Sequence, residues 1–184
     1  MDYVAFAARL LLAFVCLAAA AGKLGSRRQH REFLRFVGRS GVPDRLVTPV
    51  ATGIVAAELT VALLLPWPAT GLAGAALATG LFLAFTAGVG AAIRRGRTPR
   101  CFCFGRLGQP LGRGHLARNA VLSGTAAVAC GLSVVADGRP ESLPGGIVAV
   151  ASAAIGALLL VFWDDLGALF RDEVVAARPV RAEW

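Results

Sequence analysis

Cys101 and Cys103 stand one residue apart in the run Cys101-Phe102-Cys103-Phe104-Gly105. A disulfide between them closes a very small, strained ring. Strained disulfides are more oxidising and more easily reduced than structural ones. Arg97, Arg100 and Arg106 flank the pair, and cationic neighbours favour thiolate, the attacking species in thiol–disulfide exchange. Phe102 and Phe104 suit anchorage in a membrane interface, and Gly105 permits a tight turn. Two thiolates also suit a soft ion: Cu(I), or zinc with further ligands. His115 lies nearby and His30 in another loop, but neither has the spacing of a closed metal site. Redox chemistry is the preferred reading, above metal binding and above two inert thiols.

Four further residues carry charge or hydrogen-bonding capacity where the surrounding sequence is apolar. Glu58 lies near the middle of an apolar run, where a carboxylate costs about 2.5–3.5 kcal/mol to insert. It must be neutral, paired or in contact with water. Lys23, at the end of the first apolar run, and Arg118 and Asn119, at the head of the fourth, are the candidate partners. The expectation is either a buried pair that fixes helix register or a polar pocket with a proton-handling or cofactor-facing role. Arg9 can snorkel to the interface or face a partner, and the first is the preferred expectation. Cys16 and Cys130 lie about 10 and 18 Å from the inner ends of their runs at 1.5 Å per residue. That mismatch argues against a disulfide, and both read as small buried apolar residues.

The chain must hold these groups at a membrane. Of its 184 residues 57% are apolar and 16% charged, and the apolar residues gather into five long runs. An all-α, polytopic membrane bundle follows, with spans at about 3–23, 46–65, 70–93, 116–135 and 145–163. The first run lacks a basic leader segment and is read as an uncleaved helix. Residues 1–135 form a four-helix core with the C-x-C loop at 94–115. Residues 136–184 supply the fifth helix and a charged tail. The segment 25–45 places Phe33, Leu34, Phe36 and Val37 opposite Arg28, Arg31, Arg35 and Arg39, as in a helix lying in the head-group plane.

The net charge of +8 would suggest nucleic acid in a soluble protein. Here the bases lie between apolar runs, where they set topology and meet lipid head groups, so no nucleic-acid partner is expected. Seven fall between Lys23 and Arg45, seven between Arg94 and Arg118, and three in the tail; Arg9 and Arg139 alone lie on the other side. The positive-inside rule puts the N-terminus outside a cytoplasmic membrane and the C-x-C loop and C-terminus inside. No phosphate-binding glycine loop, paired-histidine zinc motif or Ser-His-Asp constellation is visible.

Ala21-Gly22-Lys23 followed by Phe33, the lone membrane acid Glu58, and Cys101-Phe102-Cys103-Phe104-Gly105 followed by Arg118-Asn119 together resemble the methylamine-utilisation MauE family, within the broader DoxX-like membrane proteins. The resemblance covers about residues 3–135. It implies a helper of thiol–disulfide chemistry, concerned with processing, transport or maturation of the disulfide-rich methylamine dehydrogenase small subunit. A thioredoxin-like redox protein and an exported disulfide-containing protein would be its partners. A quinone is a possible electron acceptor by analogy with other membrane disulfide enzymes. Exported proteins acquire disulfides outside the cytoplasm, whereas the base count puts the pair inside. Three resolutions stand open: a loop reached from outside through the bundle, electron transfer across it, or the opposite orientation. A metal transporter and a non-enzymatic scaffold remain the alternative functions.

Overall fold

The computed structural model describes residues 1–95 and 113–163. Among them are six helices: α1 (Asp2–Leu24), α2 (Arg27–Arg39), α3 (Asp44–Leu64), α4 (Pro68–Arg94), α5 (Arg113–Val135) and α6 (Leu143–Val161). All but α2 are long and apolar enough to cross a membrane. Each of the five matches a span expected from the sequence. Their starts fall up to three residues away, partly because Pro68 and Pro144 sit in the first turns of α4 and α6 rather than before them. Proline is tolerated there, since its missing N–H would have no intrahelical partner.

Short connections force neighbouring spans to run antiparallel. Between α3 and α4 the Thr70 hydroxyl donates to the Leu64 carbonyl at 2.7 Å, closing the Pro66-Trp67 turn. A β-carbon at Gly74 would lie 3.0 Å from the Leu65 amide, so the glycine lets α4 approach α3 closely there. Helices α4 and α5 pack together, with Thr86 and Ser123 hydroxyls 3.2 Å apart between them. Helix α6 packs along α1 in parallel: Gly145 sits against Tyr3, and Gly156 against Leu11.

The main core is built from small side chains, with Ala13, Ala62, Ala75, Ala78, Ala126 and Ala129 among its buried members and Leu12, Val61, Phe82 and Leu122 between them. Lipid tails are as apolar as these residues, so close packing rather than exclusion of water holds the helices together. Large apolar side chains such as Leu63, Ile147, Ile155 and Leu158 face outward, the pattern a lipid-facing surface requires.

At one end of the bundle, Tyr3, Arg9, the start of α4, the end of α5 and the start of α6 come together. At the other end lie Lys23, α2, the end of α4 and the start of α5, where Phe36, Val89, Ile93 and Leu116 touch. Residues 96–112 therefore join two helix ends that meet α2. Helix α2 starts at Ser26, whose hydroxyl accepts from the Gln29 amide at 3.1 Å, an N-cap. Its apolar face is not left to lipid: Phe33 and Val37 are buried against Ala20, Ala51 and Val55 of α1 and α3.

Arg9 corrects the sequence expectation. It does not reach out to the interface but is 1% exposed. Its guanidinium donates to Ser133 Oγ (2.8 and 3.0 Å) and to the carbonyls of Asp137 (3.0 Å) and Ala136 (3.4 Å). These acceptors lie at the end of α5, where helix carbonyls lack intrahelical partners and the dipole favours a cation. Space comes from two glycines: a β-carbon would fall 2.7 Å from the guanidinium at Gly71 and 2.6 Å from it at Gly138. Gly138 also has φ +65 and donates its amide to the Asp2 carboxylate at 2.9 Å.

Candidate functional site

Lys23 and Glu58 meet inside the bundle. Lys23 Nζ donates to Glu58 Oε1 at 2.5 Å, and each side chain is 3% exposed. The ammonium also donates to the Ala19 carbonyl at 3.4 Å and lies 5.4 Å from the centre of the Phe33 ring. Position explains the arrangement. Cys16, Ala19 and Lys23 recur at helical spacing on one face of α1, and α3 presents Val61, Glu58 and Val55 along the facing stripe. Lys23 is the last basic residue of α1, so its stem can run back into the bundle from the helix end. Phe33 of α2 covers it.

The pair lines a cavity of about 30 Å³ shared with Cys16, Phe33, Phe82 and Asn119. That is room for roughly one water molecule. A quinone ring does not fit in that space. Asn119 is 3% exposed, and its Nδ2 has no hydrogen-bond partner among the described residues. Its backbone carbonyl accepts from Ser123 Oγ at 2.8 Å, which ties this turn of α5 to α4 through Thr86. His115 and Arg118 are also buried at the start of α5. A buried polar set of this kind is costly unless paired, and here the ion pair supplies part of the compensation.

Of the residues that the sequence singled out, Lys23, Glu58 and Asn119 line one cavity, and Arg118 is buried beside Asn119 on α5. Cys101, Cys103, Phe102, Phe104, Gly105, Arg100 and Arg106 lie outside the described residues. Cys16 and Cys130 are both free, Cys16 buried and Cys130 partly so. The sequence marks Cys16 only as core and does not reveal its place in the polar cavity. The signal available was its spacing of seven residues from Lys23, two helical turns along the same face. Among the described residues no cluster of three or more His, Cys, Asp or Glu side chains is placed to hold a metal.

Five membrane-length helices around a desolvated ion pair define a multi-pass integral membrane protein. The chain belongs to the family described as Methylamine utilisation protein MauE, which matches residues 1–132. The match takes in α1 to α4 and nearly all of α5, and leaves α6 outside. Comparison with curated proteins and with solved structures gives no match.

Proposed function

We propose that this protein performs or relays thiol–disulfide exchange through Cys101 and Cys103. One thiolate attacks a sulfur of a partner disulfide, forming a mixed disulfide and releasing the partner's other sulfur as thiolate. The second cysteine attacks the mixed disulfide. The product is a Cys101–Cys103 disulfide and a reduced partner, with two electrons passed from the pair to the partner. The reverse sequence oxidises a partner dithiol. Arg100 and Arg106 favour thiolate in either direction.

The observation that carries the reading is where the loop is tethered. Residues 96–112 leave α4 and enter α5 at the bundle end that holds Lys23, Glu58, Asn119, Arg118 and His115. The segment that carries the C-x-C pair is thus joined in sequence to the two helices whose ends meet this buried polar set, which could supply groups for proton exchange. Membership of the MauE family supports the same reading through its association with methylamine utilisation, and it directs attention to an exported disulfide protein and a thioredoxin-like redox protein as partners. The base count supports a cytoplasmic side for the loop.

The test is labelling of intact cells with permeant and impermeant maleimides, before and after reduction, reading Cys101 and Cys103 by mass. A pair that becomes labelled only after reduction is expected, with protection from the impermeant reagent. Cys101→Ser and Cys103→Ser should each abolish exchange while the protein still inserts. Normal maturation of the partner in the double Ser variant would end the redox reading, and labelling from outside would reverse the orientation.

A further inference from the structure

The outer face of α2 is the most concentrated charge in the described structure. It carries Arg27, Arg28, Arg31, Arg35 and Arg39 against the single acid Glu32. Glu32 pairs with Arg35 at 2.9 Å, and no carboxylate among the described residues lies within ion-pair distance of Arg27, Arg28 or Arg31. Beside them is an open pocket of about 510 Å³ lined by Leu24, Ser26, Arg27, His30 and Arg31. Arg27 and Arg31 are one turn apart on its wall. The Nε of Arg31 donates to the Arg27 carbonyl at 3.2 Å, which steadies that guanidinium and leaves its two terminal nitrogens for a ligand. The Nδ1 of His30 is buried and has no hydrogen-bond partner among the described residues.

We infer that this pocket binds the phosphate head group of an anionic phospholipid. Two guanidinium groups suit the oxygens of a phosphodiester, which they can grip in a forked geometry that a lone ammonium cannot make. The remaining wall selects lipid over free phosphate. Leu24 is the last residue of a membrane span and is 53% exposed beside the arginines. It offers an acyl chain an apolar surface below the head group. The apolar face of α2 is already used against α1 and α3, so the helix is not held at the bilayer by burying that face in lipid. A head-group contact at the α1–α2 corner would instead fix where α2, and with it Phe33 over the buried pair, sits relative to the membrane surface.

Titration of the full-length protein in neutral detergent micelles with phosphatidylglycerol, read by native mass spectrometry with phosphatidylcholine as reference, tests this. The double variant Arg27→Gln/Arg31→Gln should weaken phosphatidylglycerol binding by about tenfold or more, since both charge-assisted hydrogen-bonding groups that grip the phosphate are lost. Arg35→Gln/Arg39→Gln removes the same charge from the same helix outside the pocket and should leave binding within about twofold, since a neutral micelle has no surface potential to act on those bases. Arg27→Lys/Arg31→Lys keeps the charge, guards against a folding defect, and should still weaken binding several-fold because the fork is lost. Equal losses in the two Gln variants would overturn the site in favour of diffuse attraction. Displacement of the lipid by millimolar inorganic phosphate would overturn the lipid in favour of a free phosphate ligand.

Discussion

Replacing either partner of the Lys23–Glu58 pair should produce a stability defect whose size depends on pH, in opposite senses for the two partners. Removing one member of a buried ion pair costs about 3–5 kcal/mol, because the other charge loses a compensating partner. The survivor can lower that cost by losing its charge. In Lys23→Met the remaining carboxyl can take up a proton. From an ordinary glutamate value near 4.3 this costs about 3.7 kcal/mol at pH 7 and about 1 kcal/mol at pH 5. The penalty has that ceiling, so Lys23→Met should be rescued by acid. In Glu58→Gln the remaining ammonium can release its proton, at a cost of about 4.6 kcal/mol at pH 7 and about 1.9 kcal/mol at pH 9 starting from an ordinary lysine value near 10.4. Glu58→Gln should be rescued by alkali. Its loss should also fall below the ceiling, because the Ala19 carbonyl and the Phe33 ring remain to hold the ammonium. The double variant Lys23→Met/Glu58→Gln removes both charges of the pair together and should cost less than the sum of the singles by about 3 kcal/mol or more. Unfolding in mixed detergent–SDS micelles, followed by tryptophan fluorescence at pH 5, 7 and 9, measures all three. Additive single losses, or losses that do not move with pH, would refute the claim that this pair is desolvated in the folded protein.

Other parts of the structure give further expectations. Gly138→Ala places a β-carbon 2.6 Å from the Arg9 guanidinium at a residue with φ +65, and should cost about 1–3 kcal/mol; the same unfolding assay measures it, with Gly53→Ala, where a β-carbon meets nothing within 4 Å, as control. Phe33→Ala removes the ring over Lys23 and from the cavity wall, and should destabilise by about 3–5 kcal/mol. It should also make Cys16, 1% exposed in the intact bundle, react with a small permeant maleimide in a Cys101→Ser/Cys103→Ser background where it is otherwise protected. Gly156→Leu should loosen the contact of α6 with α1, since a β-carbon already falls 2.8 Å from the end of the Leu11 side chain and a full leucine must displace it further; cross-linking of cysteines placed at positions 3 and 145 should fall while α1 to α5 stay assembled.

The spans were legible in the sequence because a membrane demands about twenty apolar residues in a row, a constraint local to each helix. Glu58 was legible as an anomaly for the same reason. Its contact with Lys23 was not, since Lys23, Arg118 and Asn119 were all candidate partners and only the packing of α1 on α3 brings Lys23 onto it. The preferred reading of Arg9 fails, and the partner-facing one holds, because its burial depends on Gly71 and Gly138, which lie 62 and 129 positions further along the chain. A local reading sees a cation near a helix start and sends it to the interface. The face of α2 was correctly seen as apolar, but amphipathicity alone does not say whether lipid or protein covers it. Cys16 was hidden by a sound generalisation, that a cysteine in an apolar run is core, which holds for its packing but is silent about the polar neighbours it acquires.

The parallel pairing of α1 with α6 has a consequence for synthesis. About 120 residues separate the end of α1 from the start of α6, which at about 5–20 residues per second is roughly 6–24 seconds of translation. Throughout that interval the flank of α1 later covered by Gly145, Gly156 and Ala157 faces lipid or the insertion machinery rather than its eventual neighbour. The guanidinium of Arg9 waits almost as long for Ser133 and Asp137. The first helix therefore enters the membrane carrying a charge whose acceptors do not yet exist, and the speed with which the ribosome reaches α5 decides how long that helix must be held before it can settle.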